Sequence, residues 1–147
     1  MPPITLDYHV AQGRYGITAN TNFNFGTTGL GTCVGVIMTL NNGDNICGHM
    51  DHSYEPTQAQ RVAFEIAVTA VLNGVIPPGA AVLSVHYSTP GGTRAALYTV
   101  NAITAWFAGA VNAGNRQTIY ISAGGVQATD ANVIIGANAV DNGPFSV

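Results

Sequence analysis

Thr32-Cys33-Val34-Gly35-Val36-Ile37-Met38-Thr39-Leu40-Asn41-Asn42-Gly43-Asp44-Asn45-Ile46-Cys47-Gly48-His49-Met50-Asp51-His52 is the stretch from which this chain is read. Thr32 to Leu40 is apolar and β-branched enough for a central strand. Asn42-Gly43 is a hairpin signal, because both residue types tolerate the backbone angles of tight turns. The turn returns Asn45 to His52 alongside the first strand. Ahead of it, Thr27-Thr28-Gly29-Leu30-Gly31 is a small-residue, glycine-spaced turn that sets the Cys33 thiol at the mouth of the apolar run. A thiol and an imidazole on adjoining strands are what a cysteine–histidine nucleophile needs. The thiolate is the reactive form, and a nearby imidazole stabilises it.

Outward from the hairpin, Ile4 to Val10 alternates and reads as a half-buried strand, Arg14 to Ala19 as a second, and Asn20 to Thr28 as a loop. Pro56-Thr57 opens a helix reaching about Asn73, with Gly74 as its stop. Gln58, Arg61, Glu65, Thr69 and Asn73 form one narrow polar stripe on it, so the remainder is expected to be mostly buried. Ala81 to Tyr87 reads as a strand, Thr93 to about Asn112 as a second apolar helix ended by Gly114, and Gln117 to Ser122 and Asn132 to Ile135 as further strands. No linker, internal repeat or low-complexity tract interrupts the order. One α+β domain follows, a layered sandwich of mixed or antiparallel sheets with two flanking helices.

Composition narrows the function classes. Apolar residues make up 47% of the 147, which argues against disorder. Charged residues are only 7%, against roughly 25% in a typical soluble domain. The net charge of −3 and the scattered Arg14, Arg61, Arg94 and Arg116 form no basic stripe, so nucleic-acid binding is not expected. No uninterrupted apolar segment is long enough for a membrane span. Met1-Pro2-Pro3-Ile4 lacks the basic and apolar regions of a signal peptide. Lysine is absent. Since lysine accepts ubiquitin, that suits a protein acting in a eukaryotic cytosol, and compositional drift explains it equally well.

For the chemistry, Cys33 is the candidate nucleophile. Gly29 and Gly31 permit unusual backbone angles beside it, and the backbone N–H groups of Thr32 and Cys33 are candidate oxyanion-hole donors. Residues two apart on a strand share a face, so Met50 and His52 point one way and His49 and Asp51 the other. Only one histidine can face Cys33, and His52 is the expected base. Thr27 is the candidate third group that holds the imidazole. His9 and His86 are assigned no role.

Competing chemistries fare less well. Cys33, Cys47, His49 and His52 are residue types that zinc prefers, but the spacing fits no standard knuckle and the ligands alternate in face. A Cys33–Cys47 disulfide is possible on a hairpin and would silence the nucleophile. The free-thiol reading is preferred, because one bridge adds little to a domain of this size. Asp44, Asp51 and Glu55 make no convincing carboxylate pair, and Gly124-Gly125 no phosphate loop.

At these residues the chain resembles the CheD family, the receptor-glutamine deamidases of bacterial chemotaxis. Members carry Thr-x-Gly-x-Gly-Ser-Cys and then Gly-x-Met-x-His-x-x-x-Pro. This chain has Thr27-Thr28-Gly29-Leu30-Gly31-Thr32-Cys33, with Thr32 for the usual Ser, then Gly48-His49-Met50-Asp51-His52-Ser53-Tyr54-Glu55-Pro56. Gly124-Gly125 loosely matches a family Gly-Gly. The same chemistry is shared by the catalytic domain of cytotoxic necrotizing factor and by Burkholderia lethal factor, toxins that deamidate a host glutamine.

The resemblance implies a single deamidase-like domain over residues 1–147, an α/β sandwich with flanking helices. It implies Cys33 as nucleophile, His52 as base and Thr27 as the residue orienting it, with His49 at a variable position. The expected activity is protein-glutamine deamidation through a thioester, needing no metal or organic cofactor. The expected partner is a protein presenting an exposed glutamine, in a bacterial cytosol or in a host cytosol reached as an effector. Transglutamination through the same thioester, a non-catalytic interaction domain on the same scaffold, and a zinc-binding structural domain are the alternatives.

Overall fold

In the computed structural model, which describes residues 2–19 and 22–147, the expected hairpin lies at the centre of the molecule. Strands β1 (Ile4–His9), β2 (Arg14–Thr18), β3 (Phe25–Thr27), β4 (Val34–Leu40) and β5 (Asn45–Met50) come first. A single 3-10 turn, Gln58–Gln60, leads into α1 (Arg61–Gly74), followed by β6 (Val82–Ser88) and α2 (Arg94–Trp106). The chain then forms β7 (Val111–Asn112), β8 (Thr118–Ser122), β9 (Gly125–Thr129), β10 (Val133–Ala139) and β11 (Gly143–Pro144).

These strands make a 5-stranded sheet in the order β10-β1-β3-β8-β9 and a 6-stranded sheet in the order β11-β2-β5-β4-β6-β7. Both are mixed. In the smaller, β1 runs parallel to β10 and β3, while β8 is antiparallel to β3 and β9. In the larger, only the β6–β7 pair is parallel.

The side-chain alternation of β4 and β5 builds the layers. Val34, Val36, Met38, Leu40, Ile46 and Met50 join a core with Phe64, Val68 and Leu72 of α1 and Ala96 and Ile103 of α2. Cys33, Ile37 and Cys47 face the opposite way, into a core with Phe25, Leu30, Ile119 and Ile121 of the smaller sheet. The hairpin is therefore buried on both faces, which is why it reads as a continuous apolar run. Each fully buried large side chain contributes roughly 1.5–3 kcal/mol by leaving water.

Close packing depends on glycine at two places, Gly35 between the two sheets and Gly26 between the paired strands β3 and β8. A Cβ at Gly35 would stand 2.7 Å from Ile119 Cγ2 and 3.0 Å from both Leu30 methyls. A Cβ at Gly26 would overlap the Ile119 carbonyl oxygen and Tyr120.

Four expectations are corrected. Asn20 and Thr21 of the expected loop lie outside the described residues, as does Met1, but Phe25–Thr27 within it is a buried central strand. Three residues rich in loop-forming types were recruited by β1 and β8, partners distant in sequence. The second helix stops at Trp106, because Phe107 adopts φ −134° and ψ 107°, and Val111–Asn112 pairs with β6. Helix α1 is less buried than its polar stripe implied: Val62 and Ile66 are 62% and 65% exposed, and only Phe64, Val68 and Leu72 are buried. Ala123-Gly124 turns β8 back into β9, which begins at Gly125 and is a strand the sequence did not suggest. No helix among the described residues is long and apolar enough to cross a membrane.

Candidate active site

The loop between β4 and β5 decides which histidine accompanies Cys33. A two-residue Asn42-Gly43 turn would pair Asn41 with Asp44 and, carried down the ladder, Cys33 with His52. The observed loop holds three residues. Leu40 N–H donates to the Asp44 carbonyl (2.9 Å), Gly43 N–H donates back to the Leu40 carbonyl (3.2 Å), and Gly43 takes φ 89°. The register becomes Thr39↔Asn45, Gly35↔His49 and Val34↔Met50, which sets Cys33 opposite Asp51. A one-residue difference in register exchanges the faces. It brings His49 and Asp51, not His52, to the face that carries Cys33.

His49 is 1% exposed and lies between the two sheets. Its Nδ1 is 2.7 Å from Thr27 Oγ1, and the Thr27 hydroxyl donates to the Val10 carbonyl, also at 2.7 Å. A hydroxyl has one proton. Since Val10 takes it, Thr27 must accept from His49 Nδ1–H, and Nε2 is left as the basic nitrogen. Nε2 is buried and has no hydrogen-bond partner among the described residues. Burial lowers the His49 pKa to about 4, against a smaller raising effect of the Asp51 charge, so the ring is neutral at pH 7.

Cys33 is 5% exposed, and its thiol donates to Asp51 Oδ1 at 3.6 Å. His49 is its diagonal neighbour on the same face, a spacing of about 7–8 Å between backbones that long side chains span. Burial, then the Asp51 charge and its hydrogen bond, push the thiol up to about 11. At rest the pair is thus a thiol and a neutral imidazole rather than an ion pair. Both cysteines are free; Cys47 is wholly buried on the same face, and burial alone raises its thiol.

His52 points to the helical side. Its Nε2 is 2.8 Å from Thr99 Oγ1 of α2, and its ring lies 5.7 Å from that of Phe64. Burial lowers its pKa, with Asp51 and Glu55 opposing. With Thr32, Tyr54, Glu55, Thr93 and Ala95 it lines a pocket of about 180 Å³. The expected Thr27–His52 pair is therefore corrected: Thr27 holds His49. Nor do Cys33, Cys47, His49 and His52 converge as one ligand set, because His52 faces the opposite layer from the other three.

Of the two expected oxyanion-hole donors, Thr32 and Cys33, the N–H of Cys33 is already engaged. Cys33 N–H donates to the Leu30 carbonyl (2.5 Å), and Gly31 N–H to Gln117 Oε1 (3.0 Å). Gly29 and Gly31 take φ 67° and 49° to make this turn. The Pro90-Gly91-Gly92 loop lies tightly over it, since a Cβ at Gly91 would stand 2.8 Å from the Gly31 carbonyl oxygen. Cys33 N–H reaches an oxyanion only after the Leu30–Cys33 turn opens.

A cysteine, a tautomer-fixed imidazole and a threonine holding that imidazole are a set able to perform acyl transfer. That His49 rather than His52 shares the face of Cys33 follows from the parity of the hairpin loop. Asp51, expected to leave its strand on the face opposite His52, meets the Cys33 thiol across the hairpin. No family model matches the chain, and a search of curated proteins finds no match.

Proposed function

We propose that the protein is a cysteine-dependent amidohydrolase that converts a glutamine side chain of a protein substrate to glutamate, with Cys33 as nucleophile, His49 as base and Thr27 as the positioning residue. The observation that carries the reading is the Val10–Thr27–His49 relay, which leaves a bare Nε2 on the face of Cys33. The resemblance of Thr27–Cys33 and Gly48–Pro56 to the CheD and cytotoxic necrotizing factor deamidases supports it, with His49 taking the part first given to His52.

Cys33 Sγ attacks the carboxamide carbon as its proton passes to His49 Nε2. The tetrahedral intermediate collapses when the imidazolium protonates the departing nitrogen, so ammonia leaves and a thioester remains. His49 then takes a proton from water as the hydroxide oxygen adds to the thioester carbon, the imidazolium returns that proton to Cys33 Sγ as the carbon–sulfur bond breaks, and the carboxylic acid formed loses its own proton to solvent. General-base delivery suits a resting thiol, which ionises only as it attacks. The chemistry needs a reduced thiol, as a bacterial or host cytosol provides. An amine in place of water at the second step would give transglutamination.

The test is peptide mass spectrometry of cytosolic extracts incubated with wild type or Cys33→Ser. Glutamine-to-glutamate conversion that appears only with wild type supports the proposal. Conversion by both proteins would sink the role of Cys33.

A further inference from the structure

Asp51 is an unusual neighbour for a nucleophilic thiol, because a carboxylate beside sulfur opposes the thiolate that the chemistry needs. Its placement is nevertheless well determined. Asp51 N–H donates to the Phe145 carbonyl (3.2 Å), and the Asp51 carbonyl accepts from Val147 N–H (2.9 Å). Oδ1 accepts from both the Cys33 thiol (3.6 Å) and His52 N–H (2.9 Å). Oδ2 accepts no hydrogen bond from the described residues, and it lies toward Gly13, where even an added Cβ would stand 3.9 Å away.

We propose that Asp51 is a specificity-determining residue: it holds Cys33 as a thiol in the empty site and exchanges that hydrogen bond for the N–H of an incoming primary carboxamide. The inference rests on the deamidase reading of the site. A carboxylate only accepts hydrogen bonds. A carboxamide carbon brought to Sγ places its nitrogen, a donor, within reach of an acceptor 3.6 Å from that sulfur. The same carboxylate repels the carboxylate product, so amide is admitted and acid expelled. Once Asp51 is engaged with the amide, the thiol proton is free to pass to His49 Nε2. The thiol meets Asp51, which follows β5 directly, and His49 and Cys47 of β5 lie on the same face of the hairpin. Asp51 supplies the negative charge, since His49 is neutral at rest and Cys47 is a buried thiol.

Two alkylating probes test this without a known substrate. Iodoacetamide presents a primary carboxamide and iodoacetate a carboxylate. The ratio of their rates at Cys33, mapped by peptide mass, is normalised to the ratio for the urea-unfolded chain. Wild type should favour iodoacetamide by about tenfold or more, since like charges a few ångström apart in a partly buried site repel strongly. Asp51→Asn should bring the ratio near unity and speed labelling by both probes at pH 8. Asp51→Ser provides a second variant, and the wild-type ratio decides even where neither variant folds.

A wild-type ratio near unity, or a ratio undiminished in the folded variants, would overturn the proposal. If deamidation persists while the ratio is unity, only the role of Asp51 falls. If the ratio holds while no Cys33-dependent deamidation exists, charge selection by Asp51 stands and the deamidase reading falls.

Discussion

Thr27→Val replaces one hydroxyl by a methyl of similar size at a position with 0% exposure. The hydroxyl makes two bonds, one to the Val10 carbonyl and one from His49 Nδ1–H. Both partners stay buried after the substitution, and leaving a buried polar group unsatisfied costs about 1–3 kcal/mol. The expected loss of stability for the two groups is therefore about 2–6 kcal/mol. At about 2–4 °C per kcal/mol for a chain of this length, the melting temperature falls by roughly 4–24 °C. The second consequence is chemical. Nothing then prevents His49 from carrying its proton on Nε2, where it cannot act as a base, and the loss approaches the roughly 10²-fold or more that general-base catalysis supplies. Urea unfolding measures the first effect. Nitrogen chemical shifts of the His49 ring measure the tautomer directly, and Thr27→Ser should preserve both. A Thr27→Val protein with unchanged stability and a His49 still protonated on Nδ1 would refute the relay.

His52→Gln should lower stability by about 1 kcal/mol through the bond to Thr99 and leave Cys33-dependent chemistry within a few fold of wild type, as rates on both proteins would show. Gly26→Ala should prevent stable folding, because its Cβ overlaps the Ile119 carbonyl oxygen, and circular dichroism of the purified variant checks this. Stability should also depend on pH at both ends. His49 titrates at about 4 when folded against 6.5 otherwise, so below 6.5 the unfolded chain binds the extra proton and stability falls as pH drops toward 4. Over that window the loss reaches about 3 kcal/mol; His52, also lowered by burial, adds to it. Cys33 titrates at about 11 when folded against 9.0, so stability falls as pH rises above 9. Urea melts at several pH values, with His49→Gln showing a shallower acid limb, test both signs.

The hairpin, both helices and most strands were legible because local pattern specifies them: β-branched runs, Asn-Gly at a turn, Pro before and Gly after a helix. Phe25-Gly26-Thr27 was not, because its strand character comes from β1 and β8 rather than from its own composition. The end of α2 was missed because the apolar run continues past Phe107 into β7, and composition does not distinguish the two. At the site, Cys33 and Thr27 stood out by sequence, and both lie between the sheets. The histidine did not, because its identity turns on whether the Asn41–Gly43 loop contains two residues or three. A two-residue loop of the type that best matches sheet twist needs Asn42 at positive φ, and positive φ among the described residues occurs only at glycine.

The division of labour between the histidines is tested most directly by comparing wild type, Cys33→Ser, His49→Gln and His52→Gln for glutamine-to-glutamate conversion in the same cytosolic extract. The account predicts conversion by wild type and His52→Gln at similar rates, and none by Cys33→Ser or His49→Gln. Conversion that survives His49→Gln but disappears with His52→Gln would contradict it.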